Sequence, residues 1–251
     1  MNSRERFYRT ERLIGGEKLK QLLETRIAVI GLGAVGGYAV EGLARTGIGH
    51  LLLIDHDRIS ISNINRQIYA LESTVGRPKA ELARERVLDI NPRADVTAHE
   101  FFVDTAGHET VIAWKPDIVI DAIDSLTPKA ELLAGMYRRS VPVVSSMGAA
   151  LRTDPGQIRT GDIFDTINCP LARKIRNMLK RRNVGRGIQC VYSLEIPEFT
   201  YIDPDMEECA EEPPARGRSR NLLGSLATVT GIFGLTLANL AIMTVLAGGN
   251  E

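Results

Sequence analysis

Short apolar runs separated by amphipathic stretches set the rhythm of the first 150 residues. Arg26-Ile27-Ala28-Val29-Ile30 has the pattern of a buried strand, preceded by a short helical stretch over residues 17–25. Gly31-Leu32-Gly33-Ala34-Val35-Gly36-Gly37 comes next, and the spacing then predicts a helix through about Thr46. A second apolar run, His50 to Ile54, ends in Asp55. Further helices are predicted over Lys79 to Ile90 and Thr127 to Arg139, and strands over Val96 to Phe102, Asp117 to Ala122 and Val141 to Ser145. Strands alternating with helices imply a Rossmann-like α/β fold, a largely parallel sheet with helices on both faces, because parallel neighbours need a crossover.

The rhythm changes after about residue 150. Ile158 to Ile163 and Gln189 to Leu194 look like strands outside the βαβ pattern, flanking a basic helix from Leu171 to Arg182. Residues 203–220 are charged, contain proline and are nearly free of apolar side chains, the composition of a mobile loop. The expected organisation is therefore an amino-terminal arm and helix (1–25), a nucleotide-binding α/β core (26–150) and a small carboxyl-terminal part (151–251) packed on it.

Leu222 to Ala247 is mostly apolar, and no charge occurs from Asn221 to Asn250. That length could span a bilayer. The stretch also holds Gly224, Ser225, Thr228, Thr230, Gly231, Gly234, Thr236 and Asn239, which suit tight packing against protein. A buried or dimer-interface helix is the expectation, and membrane contact through residues 222–247 is the alternative. The 31 basic and 31 acidic residues cancel, so any surface for nucleic acid must come from local clustering. The polar start, Met1 to Arg6, has no apolar signal region, and Cys169, Cys190 and Cys209 form no CxxC pair. Reduced thiols in a cytoplasmic protein are the simplest reading.

Gly31, Gly33 and Gly36 fit GxGxxG between a strand and a helix. The first glycine allows the tight turn, the second lets backbone approach phosphate, and the third permits close helix–strand packing. Phosphate would then sit at a helix N-terminus, where the backbone dipoles favour an anion. Asp55 ends the next strand, where a carboxylate can accept hydrogen bonds from ribose hydroxyls. A dehydrogenase would show the same features. The residues beyond Asp55 separate the two possibilities: Asp57, then Asn63, Asn65 and Arg66, then Lys79. Hydride transfer has no need of these cations, whereas triphosphate activation does. Asp121-Ala122-Ile123-Asp124-Ser125 ends a predicted buried strand at the carboxyl edge of the sheet, where ligands of open α/β sheets bind. Asp124 there suits Mg²⁺ held against phosphate oxygens.

These residues resemble the ubiquitin-activating-enzyme-like (ThiF/MoeB) superfamily of adenylating domains, from about Arg6 to the carboxyl end. The resemblance is greatest to the tRNA threonylcarbamoyladenosine dehydratase family. It is carried by Ala44-Arg45-Thr46-Gly47-Ile48-Gly49, Asn65-Arg66-Gln67-Ile68, Val119 to Ser125, Thr153-Asp154-Pro155 and Cys190-Val191-Tyr192-Ser193-Leu194-Glu195. It implies a homodimer that uses ATP to activate the carboxylate of threonylcarbamoyladenosine in tRNA and then closes a hydantoin-type ring. By the same resemblance, Asp55 would bind ribose, Asn63 to Arg66 and Lys79 would hold phosphates, and Asp124 with Ser125 would serve Mg²⁺ and nucleotide. Arg9 would reach the partner subunit's ATP. A sulfur-transfer (cysteine desulfurase) partner is left open. Two departures matter: Ala34 stands where the superfamily often has glycine, and the CxxC pairs that hold zinc in many sulfur-carrier activators are absent. Cys209 has no obvious base or cationic helix end beside it, which argues against a catalytic thiol.

Seven cations, Arg173, Lys174, Arg176, Lys180, Arg181, Arg182 and Arg186, fall in a stretch with no acidic residue between Asp165 and Glu195. They are the candidate surface for tRNA. Four to seven phosphate contacts would give a log–log salt slope of roughly −3 to −6. The rival readings are adenylation of a ubiquitin-like sulfur carrier, an NAD-dependent oxidoreductase and a non-catalytic docking module.

Overall fold

A computed structural model describes residues 3–197 and 223–248. The chain opens with three helices, α1 (Ser3–Arg6), α2 (Tyr8–Ile14) and α3 (Gly16–Glu24). The core continues as β1 (Arg26–Ile30), α4 (Gly36–Thr46), β2 (His50–Ile54), α5 (Lys79–Ile90), β3 (Asp95–His99), α6 (Thr105–Ala113), β4 (Ile118–Asp121), α7 (Leu126–Arg138) and β5 (Val143–Ser146). Then come β6 (Ile158–Asp162), α8 (Pro170–Lys180), β7 (Gln189–Ser193) and α9 (Ala227–Gly248).

One seven-stranded sheet holds every strand among the described residues, in the order β3-β2-β1-β4-β5-β7-β6. The first six in that order are parallel, and only β6 runs antiparallel, against β7. The change of rhythm at residue 150 is thus a change of connection rather than the end of the sheet. β7 pairs in parallel with β5 and buries Cys190 and Val191 completely, while β6 is a half-exposed edge. The predicted strands hold, most of them shortened by one or two residues. α6 was not foreseen. Its helical pattern is weak, and its signal is the cap: the Asp104 carboxylate accepts from the Ala106 and Gly107 amides at 3.0 and 3.2 Å.

Alternation along the strands divides the core into two layers. Ile27 and Val29 face the layer with α3, α4, α5 and α9, through Leu22, Leu43, Val87 and Phe233. Ala28 and Ile30 face the layer with α6, α7 and α8, through Val111, Leu133 and Ile175. α9 belongs to the first layer. Val229, Phe233, Leu237 and Ala241 are buried, each large side chain contributing about 1.5–3 kcal/mol. A methyl on Gly234 would come within 2.3 Å of the Val35 carbonyl oxygen, so the helix lies directly against the start of α4. The apolar stretch is long enough to cross a membrane, yet its inner face is a packed part of the core. Its outer face leaves Ile232, Leu235 and Met243 exposed. Residues 203–220, with Cys209, lie outside the described residues.

Candidate nucleotide-binding site

Strand order locates the site. β1 sends the chain outward to β2 and β3, and the return to β4 falls on the other side of β1. The carboxyl ends of β1 and β4 therefore flank the switch point where open α/β sheets bind ligands. Gly31 turns there with φ +90°, and a methyl on it would lie 2.8 Å from the Ala122 carbonyl oxygen. Gly36 is equally constrained, since its methyl would meet the Gly31 oxygen at 1.8 Å. Gly33 is different. A methyl there would touch only the Gln67 amide nitrogen, at 3.8 Å, so the space above the turn stays open. Gly36 opens α4, whose N-terminus points at that space. Ala34 is accommodated within the turn between them.

Four segments border the turn. Asp55 is buried at the end of β2, and its two carboxylate oxygens accept from the Leu32 amide at 2.6 Å and the Asp57 amide at 2.8 Å. It is a buttress of the turn before it is anything else. Burial pushes its pKa up, the Lys79 ammonium pulls against this, and the net shift is upward. Lys79 is 4% exposed at the start of α5 and reaches back to Asp57 Oδ2 at 2.9 Å. A buried ammonium held by one carboxylate at a phosphate turn is a cation ready to trade that partner for a phosphate oxygen.

The third segment is the loop from Asn63 to Gln67, which lies over α4: a methyl on Gly37 would meet Ile68 at 2.9 Å. Asn63 is buried and its side-chain oxygen accepts from the Ser60 amide at 3.3 Å. Asn65 donates to the Ser225 carbonyl at 3.5 Å and accepts from Arg66 at 2.7 Å. Arg66 also holds the Ser62 carbonyl at 2.8 Å, so its guanidinium rests on its own loop. The fourth segment runs from Asp121. Asp124 is exposed and accepts from Ser125 Oγ at 3.3 Å. The structure thus gathers the sequence-predicted segments around one turn through backbone packing, with each charged side chain resting on a local partner. Arg9 stands apart. It is exposed on α2, while Phe7 beside it is anchored in its own chain against Leu19 and Gly47.

A ThiF family model matches residues 7–251. The chain belongs to the ThiF family. It is 38% identical to the tRNA threonylcarbamoyladenosine dehydratase of Bacillus subtilis (strain 168), over 96% of this chain and 94% of that one. The E. coli tRNA N6-threonylcarbamoyladenosine dehydratase, solved with AMP and with ATP, superposes with TM-scores of 0.87 and 0.85 at 36% identity, covering 98% of this chain and 96% of that one. The molybdopterin-synthase adenylyltransferase of Escherichia coli (strain K12) is 40% identical, but over only 57% of this chain and 55% of its own length.

Three features of this ThiF-family chain went unremarked as site residues in the sequence. The first is an ion pair. Asp121 is fully buried and pairs with the fully buried Lys129 at 2.7 Å, while Ser145 Oγ donates to it at 2.6 Å. Lys129 also donates to the Ile123 carbonyl at 2.9 Å, fixing the strand end that carries Asp124. A signal existed: Lys129 shares a helical stripe with Leu132, Leu133 and Met136, where an unpaired lysine would be expelled. The second is Gln67, whose Oε1 is buried beside Gly33 with no hydrogen-bond partner among the described residues, an acceptor left for a ligand donor or water at the turn. The third is Arg152, a guanidinium buried on the loop after β5. Cys169 and Cys190 are both buried, and burial pushes the Cys190 thiol well above its ordinary value, which argues against Cys190 as a nucleophile at neutral pH.

The basic helix divides. Ala172, Ile175 and Leu179 of α8 are buried against α7 and the sheet. Three of the seven candidate tRNA cations are already engaged. Arg176 donates to the Thr166 carbonyl at 2.8 Å, Arg182 to the Met178 carbonyl at 3.1 Å, and Arg186 makes a two-point pair with Asp165 at 2.5 and 2.7 Å. Arg173, Lys174, Lys180 and Arg181 lie exposed on the opposite face of the helix. Arg138 at the end of α7 extends the positive surface, donating to the Arg182 carbonyl at 3.3 Å.

Proposed function

We propose that this chain is an ATP-dependent dehydratase that cyclises N6-threonylcarbamoyladenosine in tRNA, acting in the cytoplasm as a homodimer. The observation that carries the reading is the open glycine turn at the β1/β4 switch point, buttressed by Asp55 and bordered by the segments that carry Arg66, Lys79 and Asp124. It occurs in a chain that aligns nearly end to end with an enzyme of that name solved with ATP.

The turn and the N-terminus of α4 would cradle the phosphates, with Asp55 on the ribose side. Lys79 would exchange Asp57 for the β- and γ-phosphates, and Arg66 would leave its loop to join it. Asp124 with Ser125 would hold Mg²⁺, which supplies further neutralisation of phosphate charge. The substrate carboxylate then attacks the α-phosphorus and the bond to pyrophosphate breaks. A nitrogen of the same substrate attacks the activated carbonyl, loses its proton and displaces AMP with the former carboxylate oxygen. The protein's work is positioning and charge stabilisation, with no protein nucleophile. Exposed Arg9 on α2 would enter the partner subunit's site, and the apolar outer face of α9 is a surface that a second copy could cover.

The test is conversion of ATP to AMP with tRNA that carries the modified nucleoside, followed by mass analysis of that nucleoside. Turnover should require the tRNA carboxylate. Lys79→Ala and Arg66→Ala should each lower kcat by about 10²–10³, the usual loss on removing one charge-stabilising contact. Pyrophosphate exchange triggered by a ubiquitin-like carrier protein, and not by tRNA, would favour sulfur-carrier activation instead. A cysteine desulfurase partner would be revealed by stimulation of turnover on adding one.

A further inference from the structure

Arg152 is 2% exposed, yet only one of its three guanidinium nitrogens has a partner among the described residues. Nη2 donates to the Asn168 carbonyl at a long 3.3 Å, while Nε and Nη1 are buried without any. A guanidinium cannot escape by losing its proton, so it stays charged wherever the fold places it. The charge of Arg152 is felt by Glu195, but the oxygens of that carboxylate are turned to the Thr153 amide, the Thr153 hydroxyl and the Asp154 amide at 2.9–3.0 Å. A buried cation in this state is incomplete without an anion.

Its place in the fold says which anion. Arg152 lies on the loop that leaves β5, next along the sheet from β4 and Asp124. Gly224 and Ser225 join this loop to the phosphate segment, through Leu151 N to the Gly224 carbonyl at 2.9 Å and Asn65 to the Ser225 carbonyl at 3.5 Å. Along the edge of the sheet the order is β2, β1, β4, β5. Asp57 and Lys79 lie beyond β2 on one side of the turn, and Arg152 lies beyond β5 on the other. Displacement at phosphorus needs the attacking and leaving oxygens in line, on opposite sides of the phosphorus. If Lys79 holds the departing pyrophosphate, the attacking group approaches from the side of Arg152.

We propose that Arg152 is a substrate-binding residue that receives the attacking carboxylate of the acyl-amino-acid group carried on tRNA. This assignment rests on the proposed adenylating function. Held by the guanidinium, the carboxylate is steered towards a triphosphate that would otherwise repel it.

Full-length wild type, Arg152→Met and Arg152→Lys are compared in the same assays. Binding is measured, with a non-hydrolysable ATP analogue present, to tRNA bearing threonylcarbamoyladenosine and to the same tRNA with plain adenosine. KM for tRNA, KM for ATP and the melting midpoint are measured alongside. Wild type should prefer the modified tRNA. Arg152→Met should abolish that preference and raise KM for modified tRNA roughly 10- to 100-fold, the worth of a charge-assisted hydrogen bond. Its KM for ATP should stay within about two-fold, and Arg152→Lys should recover part of the loss. The melting midpoint of Arg152→Met should hold or rise, since a buried unpaired charge has been removed; a purely structural arginine would do the reverse. A preference that survives in Arg152→Met, or a fall in midpoint with both KM values unchanged, overturns the assignment. Wild type that turns over no ATP with modified tRNA overturns the function itself, and the substrate assigned to Arg152 with it.

Discussion

Lys129 and Arg152 are cations buried to nearly the same depth, at 0% and 2% exposure, and the fold treats them in opposite ways. Lys129 has a carboxylate at 2.7 Å and a carbonyl at 2.9 Å, and that carboxylate is itself held by Ser145 and the Ile123 amide. Arg152 has one long hydrogen bond. A buried charge whose partners all come from the chain is structural, and it fixes the geometry of whatever hangs from it, here the strand end with Asp124. A buried charge left short of partners adds nothing to the fold and waits for something the chain does not supply.

The first way to break this comparison is to remove Lys129. Lys129→Met strands the Asp121 carboxylate in a dry interior, and urea unfolding should register a loss of about 3–5 kcal/mol. Adding Asp121→Asn should return a large part of it, because the uncompensated charge is then gone. A single variant costing under about 1 kcal/mol would mean that the pair does not hold the strand end. Lys129 and Arg152 would then differ less than their contacts suggest.

The legibility of the two cations in the sequence also differs from that of the turn. The glycine turn could be read directly, because the backbone geometry it needs admits few residues and leaves a fixed spacing. Asp55 and Lys79 were legible from their order after it, although the ion pair between Lys79 and Asp57 was not. The sheet was legible as far as β5, where the βαβ alternation stops. β6 and β7 could be seen as strands but not as members of the same sheet, since a connection through α8 and long loops leaves no periodic trace. Lys129 and Arg152 were missed because burial of a charge is decided by tertiary packing: Lys129 meets Asp121 across the turn between β4 and α7, and Arg152 meets Asn168 sixteen residues on. The roles assigned to Arg66 and Asp124 were argued from their order after the turn as well as from family resemblance; the structure adds that both sit on segments packed around the turn.

The basic helix sharpens the same contrast at the surface. Arg176, Arg182 and Arg186 are occupied, and Arg173, Lys174, Lys180 and Arg181 are exposed. Replacing the exposed four with alanine should lower tRNA affinity about 10- to 100-fold at moderate salt and flatten the log–log salt slope by roughly 3, at ~0.7–0.9 per lost contact. Arg186→Ala, which breaks a pair with Asp165, should change the slope by less than about 1. Equal effects from both replacements would show that engagement with a protein partner does not set which cations meet RNA.

The smallest effect concerns Glu195, the acid closest to deciding whether Arg152 is short of partners. Burial alone would raise its pKa, but the amides of Asp154 and Thr153, the Thr153 hydroxyl and, last, the charge of Arg152 outweigh this and hold it below the ordinary 4.5. A depressed carboxylate stabilises the folded chain above its unfolded-state value, and that contribution is lost as pH falls through the lowered folded value. Glu195→Gln should therefore cost about 1 kcal/mol or less at pH 7, a modest figure because the group is largely solvated. The gap to wild type should close as the medium is acidified from about pH 5 through the depressed value. Combining Glu195→Gln with Arg152→Met makes the result decisive. If the carboxylate serves the backbone, the two effects add. If they couple strongly, Glu195 is the partner of Arg152, the guanidinium is satisfied within the chain, and the distinction between it and Lys129 disappears.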